Sequence, residues 1–249
     1  MIAVKIGGSV ITRKDTYRHF LPDICRNIVR SLFPFRNELV VLHGGGSFGH
    51  ILAKEANLPA DLNERTKRYF SRIHNDVLLL NSKINDIMAE EEFNPVSIPT
   101  SLFFGEKGLN VRPYRKFLES GFNPVGMGDI VLSGKTVKII SADDIMLKLS
   151  KEFNPRLVIF FTDVDGIYSD DPKKDPDARL LRSIDSDINF KAVQNDVTGG
   201  MKHKYEIIKK ISHHADKIAV INGKYPERLK DLGSELVNTG LYIIWKGKR

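Results

Sequence analysis

The stretch His43-Gly44-Gly45-Gly46-Ser47-Phe48-Gly49-His50 (HGGGSFGH) decides how the chain is read. It follows Glu38-Leu39-Val40-Val41-Leu42, an apolar, β-branched run of the kind that forms a buried parallel strand. Ser47 to Asn57 has helical character. The glycines therefore fall in a turn between a strand end and a helix N-terminus. There an α/β protein presents free backbone N–H groups and the positive end of a helix dipole. Lacking Cβ atoms, Gly44, Gly45 and Gly46 let a phosphate approach the main chain. His50 lies in the first turn after the loop, placed to add a side-chain donor to the same anion. A tight turn followed by a surface histidine is the plainer alternative.

Similar junctions recur on either side. Ile2 to Ile6 reads as a strand running into Gly7-Gly8-Ser9. Lys5, near its end, can point its ammonium at a phosphate on that turn, or can be an exposed strand-end lysine. Lys14, in the polar loop that follows, either reaches over the same turn or is solvated. Leu157 to Phe161 reads as a second central strand, ending in Thr162-Asp163-Val164-Asp165-Gly166-Ile167-Tyr168. Asp196-Val197-Thr198-Gly199-Gly200-Met201 opens a helix expected over 202–213, with Thr198 as N-cap. Lys204 in its first turn opposes the helix dipole unless an anion shares the site. Ser141-Ala142-Asp143-Asp144 caps a helix that runs to Phe153. Its two acids suit a helix N-terminus; near phosphate and lysine they would instead orient an ammonium.

The segments between supply the scaffold. Helical spacing over Phe20 to Phe33 puts Leu21, Ile24, Ile28, Val29 and Leu32 on one face, with Pro34 as the stop. A long helix over Asn63 to Glu92 lines up Phe70, Ile73, Val77, Leu80, Ile84, Ile87 and Met88. Most of that stripe is core; near Phe70, Ile73 and Val77 it is either core or the wall of an apolar pocket. Further strands are expected at 95–99, 123–128, 129–133, 137–140, 217–221 and 241–244, a hairpin at 101–111, and short helices at 114–120 and 226–232. Strands alternating with helices predict an α/β three-layer α-β-α sandwich with a mostly parallel central sheet and ligands at its strand ends.

Bulk properties narrow the function. The 249 residues are 41% hydrophobic and 28% charged, as in an ordinary globular domain. No apolar run approaches the ~18 residues of a membrane span. No targeting segment is read at the N-terminus, and the lone Cys25 excludes an intrachain disulfide, so a cytoplasmic location is expected. The net charge of +7 is spread along the chain without aromatic interleaving. That fits attraction of small phosphorylated anions better than nucleic acid. The acidic loop from Asp170 to Asp177 lacks calcium-loop spacing, and no metal ligand is assigned.

Several anion turns with Lys5, Lys14, Lys204 and His50 suggest two phosphorylated molecules meeting. Phoshoryl transfer between them needs in-line placement and neutralisation of charge, which lysines and backbone N–H groups supply. Neither a GxxxxGK[ST] loop nor the protein-kinase signature set occurs.

KIGGS, HGGG, SADD, TDVDGIY and DVTGGMKHK, in that order along nearly the whole chain, together resemble the amino acid kinase superfamily. Within it, HGGGSFGH with His50 resembles the isopentenyl phosphate kinases. Acetylglutamate, aspartate and uridylate kinases lack this histidine; fosfomycin kinases share it, and the alternative is a phosphonate kinase of that type or another small-molecule kinase of the superfamily. The resemblance implies transfer of the γ-phosphoryl of Mg2+-ATP to isopentenyl phosphate, giving isopentenyl diphosphate in isoprenoid biosynthesis by an alternate mevalonate route. It implies a single domain with an acceptor lobe over 1–140 and a nucleotide lobe over 141–249, in a cytoplasmic homodimer. Lys5, Gly8 and Ser9 would face the transferred phosphoryl, Lys14 would stabilise it, and Asp143 would hold the lysines. Gly7, Gly46, Asp163, Gly166, Tyr168, Gly200 and Lys204 would line the nucleotide site. The acceptor phosphate would rest on Gly45, His50 and Gly128, with its tail toward Phe70, Ile73 and Ile140.

Overall fold

The computed structural model describes residues 1–170, 172, 175–181, 200–233 and 242–246. Its first half comprises β1 (Ile2–Ile6), α1 (Gly8–Ile11), α2 (Pro22–Ser31), β2 (Leu39–His43), α3 (Gly46–Glu55), β3 (Ala60–Asp61), α4 (Glu64–Glu90), β4 (Pro95–Ile98), β5 (Phe104–Gly105), β6 (Gly108–Leu109) and α5 (Arg112–Glu119). The second half adds β7 (Asn123–Met127), β8 (Asp129–Ser133), β9 (Thr136–Ile140), α6 (Ala142–Phe153), β10 (Leu157–Thr162), α7 (Gly200–Ile211), β11 (Lys217–Asn222) and β12 (Tyr242–Lys246).

Seven strands form the main sheet in the order β12-β11-β10-β1-β2-β7-β4. All neighbours are parallel except the edge pair β11–β12. Alternation along each strand divides the core into two layers, because successive side chains leave opposite faces. Ile2, Val4 and Ile6 of β1 and Leu157, Ile159 and Phe161 of β10 pack with Ile28 of α2 and Ile84 of α4. Ala3, Val158 and Phe160 face Ile145 and Leu149 of α6 and Ile208 of α7. The expected three-layer sandwich is therefore present. Lys5 is on the α6 side, at the end of β1 where the sheet opens.

A second sheet, β3-β9-β8, joins α3 and the first half of α4 around a smaller core of Leu52, Ile73, Val77, Ile130 and Val137. Asn63 caps α4 and Ser141 caps α6, each in a reciprocal capping box, which fixes both helix starts.

Three expectations need correction. The Phe20–Phe33 helix ends at Ser31, and Phe33–Glu38 is a 3-10 turn whose start accommodates Pro34. The segment expected as a helix over 226–232 is also a 3-10 turn, Pro226–Gly233. The 101–111 hairpin pairs only Phe104–Gly105 with Gly108–Leu109, after a 3-10 turn at Thr100–Phe103. Thr198, Gly199 and Leu241 lie outside the described residues. Among those described, no helix is long and apolar enough to cross a membrane.

Candidate active site

The strand ends that carry the glycines are stitched together by their first amides. Gly7 N–H donates to Phe161 O at 2.9 Å, Gly44 N–H to Ile6 O at 3.0 Å, and Gly128 N–H to His43 O at 2.9 Å. The turns after β10, β1, β2 and β7 thus form one continuous edge. Contact between two of them is main chain on main chain. A Cβ on Gly8 would lie 2.3 Å from Gly46 N, and one on Gly44 would lie 2.9 Å from Gly8 N. Gly46 adds a left-handed backbone, φ +50, and a Cβ there would meet Thr12 Oγ1 at 2.2 Å. Thr12 clamps the joint: its hydroxyl donates to Gly8 O (2.7 Å) and accepts from Ser47 N–H (3.0 Å).

Gly44 and Gly46 are therefore glycines because one turn packs on another, rather than because a ligand needs the room. Gly45 is the exception. Its φ of −67 suits any residue, and a Cβ there would make ordinary contacts, the nearest 3.4 Å from Gly49 Cα. Neither the fold nor the backbone demands a glycine there. Gly128 closes the row, with a Cβ position 2.9 Å from Ala142 N at the start of α6.

Beside this edge lies an ionic cluster. Lys5 Nζ donates to Asp143 Oδ2 at 2.6 Å, with side chains only 12% and 16% exposed. Both readings of the Ser141–Asp144 acids hold, one each: Asp144 completes the cap, and Asp143 binds the lysine. Burial alone would raise the Asp143 pKa. The Lys5 ammonium, with smaller help from Lys204 and His203, outweighs it and keeps the carboxyl below its usual value. Lys204, the fifth residue of α7, is pushed down to about 8, first by desolvation and then by the Lys5 charge, with Lys14 adding and Asp143 and Asp163 opposing. Lys14 is largely exposed and faces Asp163 Oδ2 at 3.6 Å. Three ammonium groups thus share two carboxylates, a local excess of positive charge suited to a polyphosphate.

The loop after β10 is built around Asp165, whose Oδ1 accepts from Asn222 Nδ2 (3.1 Å) and Arg228 Nη1 (2.8 Å). These supports, contributed by β11 and the turn after it, leave no local sequence signal. Gly166 is buried and Tyr168 pairs with Leu180 across the loop. Gly200 begins α7.

On the other side, Ile73 and Val77 are buried in the smaller core, with Phe70 and Tyr17 packed at its margin. Ile140 joins the α6-side core instead, while its backbone opposes Asp129 next to Gly128. His50 sits one turn into α3 and is exposed. Polar groups not anticipated from sequence border this region. His74 Nδ1 donates to the buried Asp129 Oδ2 at 2.8 Å, which raises the imidazole pKa. Tyr17 and Arg18, in the loop that carries Lys14, both donate to the fully buried Asp76 of α4. Spacing finds neither pair, because each joins residues about 55 or more apart in the chain.

The donor set also decides about metal. Among the described residues no group of three or more His, Cys, Asp or Glu is placed to hold an ion.

The family and the fold recur in known proteins. The amino acid kinase family model matches residues 1–222. The chain is 42% identical over 237 residues to the isopentenyl phosphate kinase of Thermoplasma acidophilum, covering 94% of this chain and 97% of that one. It is 36% identical to the isopentenyl phosphate kinase of Methanothermobacter thermautotrophicus, covering 96% and 98%. A crystal structure of an isopentenyl phosphate kinase substrate complex superimposes with a TM-score of 0.87 at 37% identity, over 98% of this chain and 100% of that one.

Proposed function

The chain belongs to the amino acid kinase family, and from that premise we propose that it is an ATP-dependent isopentenyl phosphate kinase. A terminal oxygen of isopentenyl phosphate attacks the γ-phosphorus of ATP. The bond from that phosphorus to the β,γ-bridging oxygen breaks, and isopentenyl diphosphate and ADP leave. At neutral pH a phosphate monoester carries about −1.5 to −2 charge, so the attacking oxygen needs no general base. What it needs is a partner for its charge and a fixed line of approach.

The observation that carries this reading is the main-chain contact of Gly8 with Gly44 and Gly46. Two anion-binding turns that touch bring two mutually repelling phosphates within reach of one another. In this reading Lys5, Gly8 and Ser9 hold the transferred group, Lys14 meets its charge in transit, and Asp143 positions Lys5. Asp163, Gly166, Tyr168, Gly200 and Lys204, in a lobe over 141–249, serve the nucleotide together with Gly7 and Gly46. Gly45, His50 and Gly128 take the acceptor phosphate in a lobe over 1–140. A donor His50 beside a dianion is favoured in its protonated form. Mg2+ accompanies the ATP phosphates. A cytoplasmic homodimer completes the reading; light scattering tests the assembly.

Phe70, half-buried at the margin of the smaller core whose Val77 adjoins Gly45, suits an alkyl tail better than the polar phosphonate fosfomycin. ATP consumption measured with isopentenyl phosphate, dimethylallyl phosphate and fosfomycin tests the choice. Turnover with isopentenyl phosphate is expected. Turnover with fosfomycin alone reverses it.

A further inference from the structure

His43 closes β2 on the face turned to α4 and is fully buried. Its ring is held from both sides: Nε2 lies 3.0 Å from Asn81 Nδ2, and Nδ1 lies 3.2 Å from Gly44 O. The orientation of the Asn81 amide is set independently. Its Nδ2 also donates to Val125 O at 3.4 Å, while its Oδ1 accepts from Ser97 Oγ and from Asn85 Nδ2 at 3.2 Å. Asn81 therefore offers the ring an N–H, so Nε2 is the unprotonated nitrogen. The one ring proton is on Nδ1 and is donated to Gly44 O. Burial, only partly offset by that bond, pushes the imidazole pKa down to about 4, so the ring is neutral under working conditions.

Gly44 O and Gly45 N–H belong to one trans peptide plane and point in opposite directions. Glycines flank that plane on both sides, so local sterics select neither of its two orientations. The side chain of His43 selects one. With Gly44 O drawn inward to the ring, Gly45 N–H is turned outward, and among the described residues it donates to no backbone carbonyl or side chain.

We propose that His43 is the positioning residue of the acceptor site: its neutral ring, oriented by Asn81, holds the Gly44–Gly45 peptide so that Gly45 N–H faces the acceptor phosphate. The proposal rests on the reading that this phosphate sits on Gly45. It gives the first residue of HGGGSFGH a duty distinct from that of the last: His43 never touches substrate.

Two variants and two readouts test it. His43→Leu keeps the volume and removes the ring proton; His43→Asn keeps a donor near the position of Nδ1. In His43→Leu the KM for isopentenyl phosphate should rise about tenfold or more, the scale of one lost hydrogen bond to a charged group. His43→Asn should recover part of that loss, and the KM for ATP should stay within about twofold in both. The second readout is the Gly45 amide resonance on adding isopentenyl phosphate, expected to shift in the wild type and not in His43→Leu. An unchanged acceptor KM and a retained Gly45 shift in His43→Leu overturn the role of His43 while leaving the acceptor site intact. A Gly45 resonance that does not move in the wild type overturns the acceptor site itself, and the proposal with it.

Discussion

On its β2 side the glycine edge presents peptide dipoles; on its β10 side it presents ammonium groups. The β2 turn is held by its neighbours' backbones, by Thr12 and by a buried neutral histidine. It carries partial charges that do not titrate and that act only if the geometry is right. The β10 side carries full charges on Lys5, Lys14 and Lys204, which share Asp143 and Asp163. Those charges tolerate small displacements but depend on protonation. The difference separates the jobs. A bound acceptor must be placed, whereas a phosphoryl group in flight must be neutralised along its path.

The comparison breaks most visibly at Lys5. Lys5→Ala removes a largely buried ammonium and strands the Asp143 carboxylate, so kcat should fall by about 10³ or more. A loss under about tenfold in steady-state turnover would move charge neutralisation elsewhere. His50→Ala should come next, nearly abolishing turnover, with His50→Gln retaining more because it keeps a donor. Normal turnover of the alanine variant with isopentenyl phosphate would remove His50 from the site.

Gly45→Ala sharpens the contrast from the dipolar side. Its φ of −67 and the ordinary contact distances to Gly49 and Val77 accept a methyl group. Thermal unfolding should therefore show stability unchanged or raised by up to about 1 kcal/mol, the usual gain from a compatible Gly→Ala change. The methyl group occupies ligand space, however, and the acceptor KM should rise about tenfold while that for ATP holds. Gly46→Ala, at φ +50 and against Thr12, should instead destabilise the fold.

The effect of pH is milder and one-sided. Lys204 is charged below its pKa of about 8 and neutral above it. In steady-state assays kcat/KM for ATP should accordingly decline as pH rises through that value. In His50→Gln, where peptide dipoles are the remaining acceptor contacts, the acceptor KM should stay flat between about pH 7 and pH 9 once phosphate ionisation is complete. The smallest effect belongs to His74. Its bond to Asp129 raises its folded pKa, so the stabilisation is complete below the unfolded value and fades as pH rises through the folded one. The Tm difference between wild type and His74→Gln should shrink along that rise.

Much of this was legible in the chain. The strand runs Ile2–Ile6 and Leu157–Phe161, alternating with helical stretches such as the long stripe of α4, announce a parallel sheet with helices packed on it. Strand-to-glycine junctions mark the functional edge, because a parallel sheet leaves its helix N-termini there. What local pattern does not carry is which glycine serves what. Gly8, Gly44 and Gly46 are fixed by a contact between turns nearly forty residues apart, and only coordinates separate them from Gly45. The same holds for Asp76, Asp129 and Asp165, whose partners come from other elements. Composition shows carboxylates but not which are buried. The 3-10 turns at Pro34 and Pro226 escape for a related reason: a short helical signal does not distinguish the two hydrogen-bonding patterns.

The central claim is that two anion sites of unlike physics open into one cleft. A single molecule joining adenosine to an isopentenyl group through a polyphosphate chain tests it directly, by its inhibition pattern. The account predicts competition against both ATP and isopentenyl phosphate, with the bond to the acceptor half weakened in Gly45→Ala. Competition against one substrate only, with the other still binding freely, would contradict it.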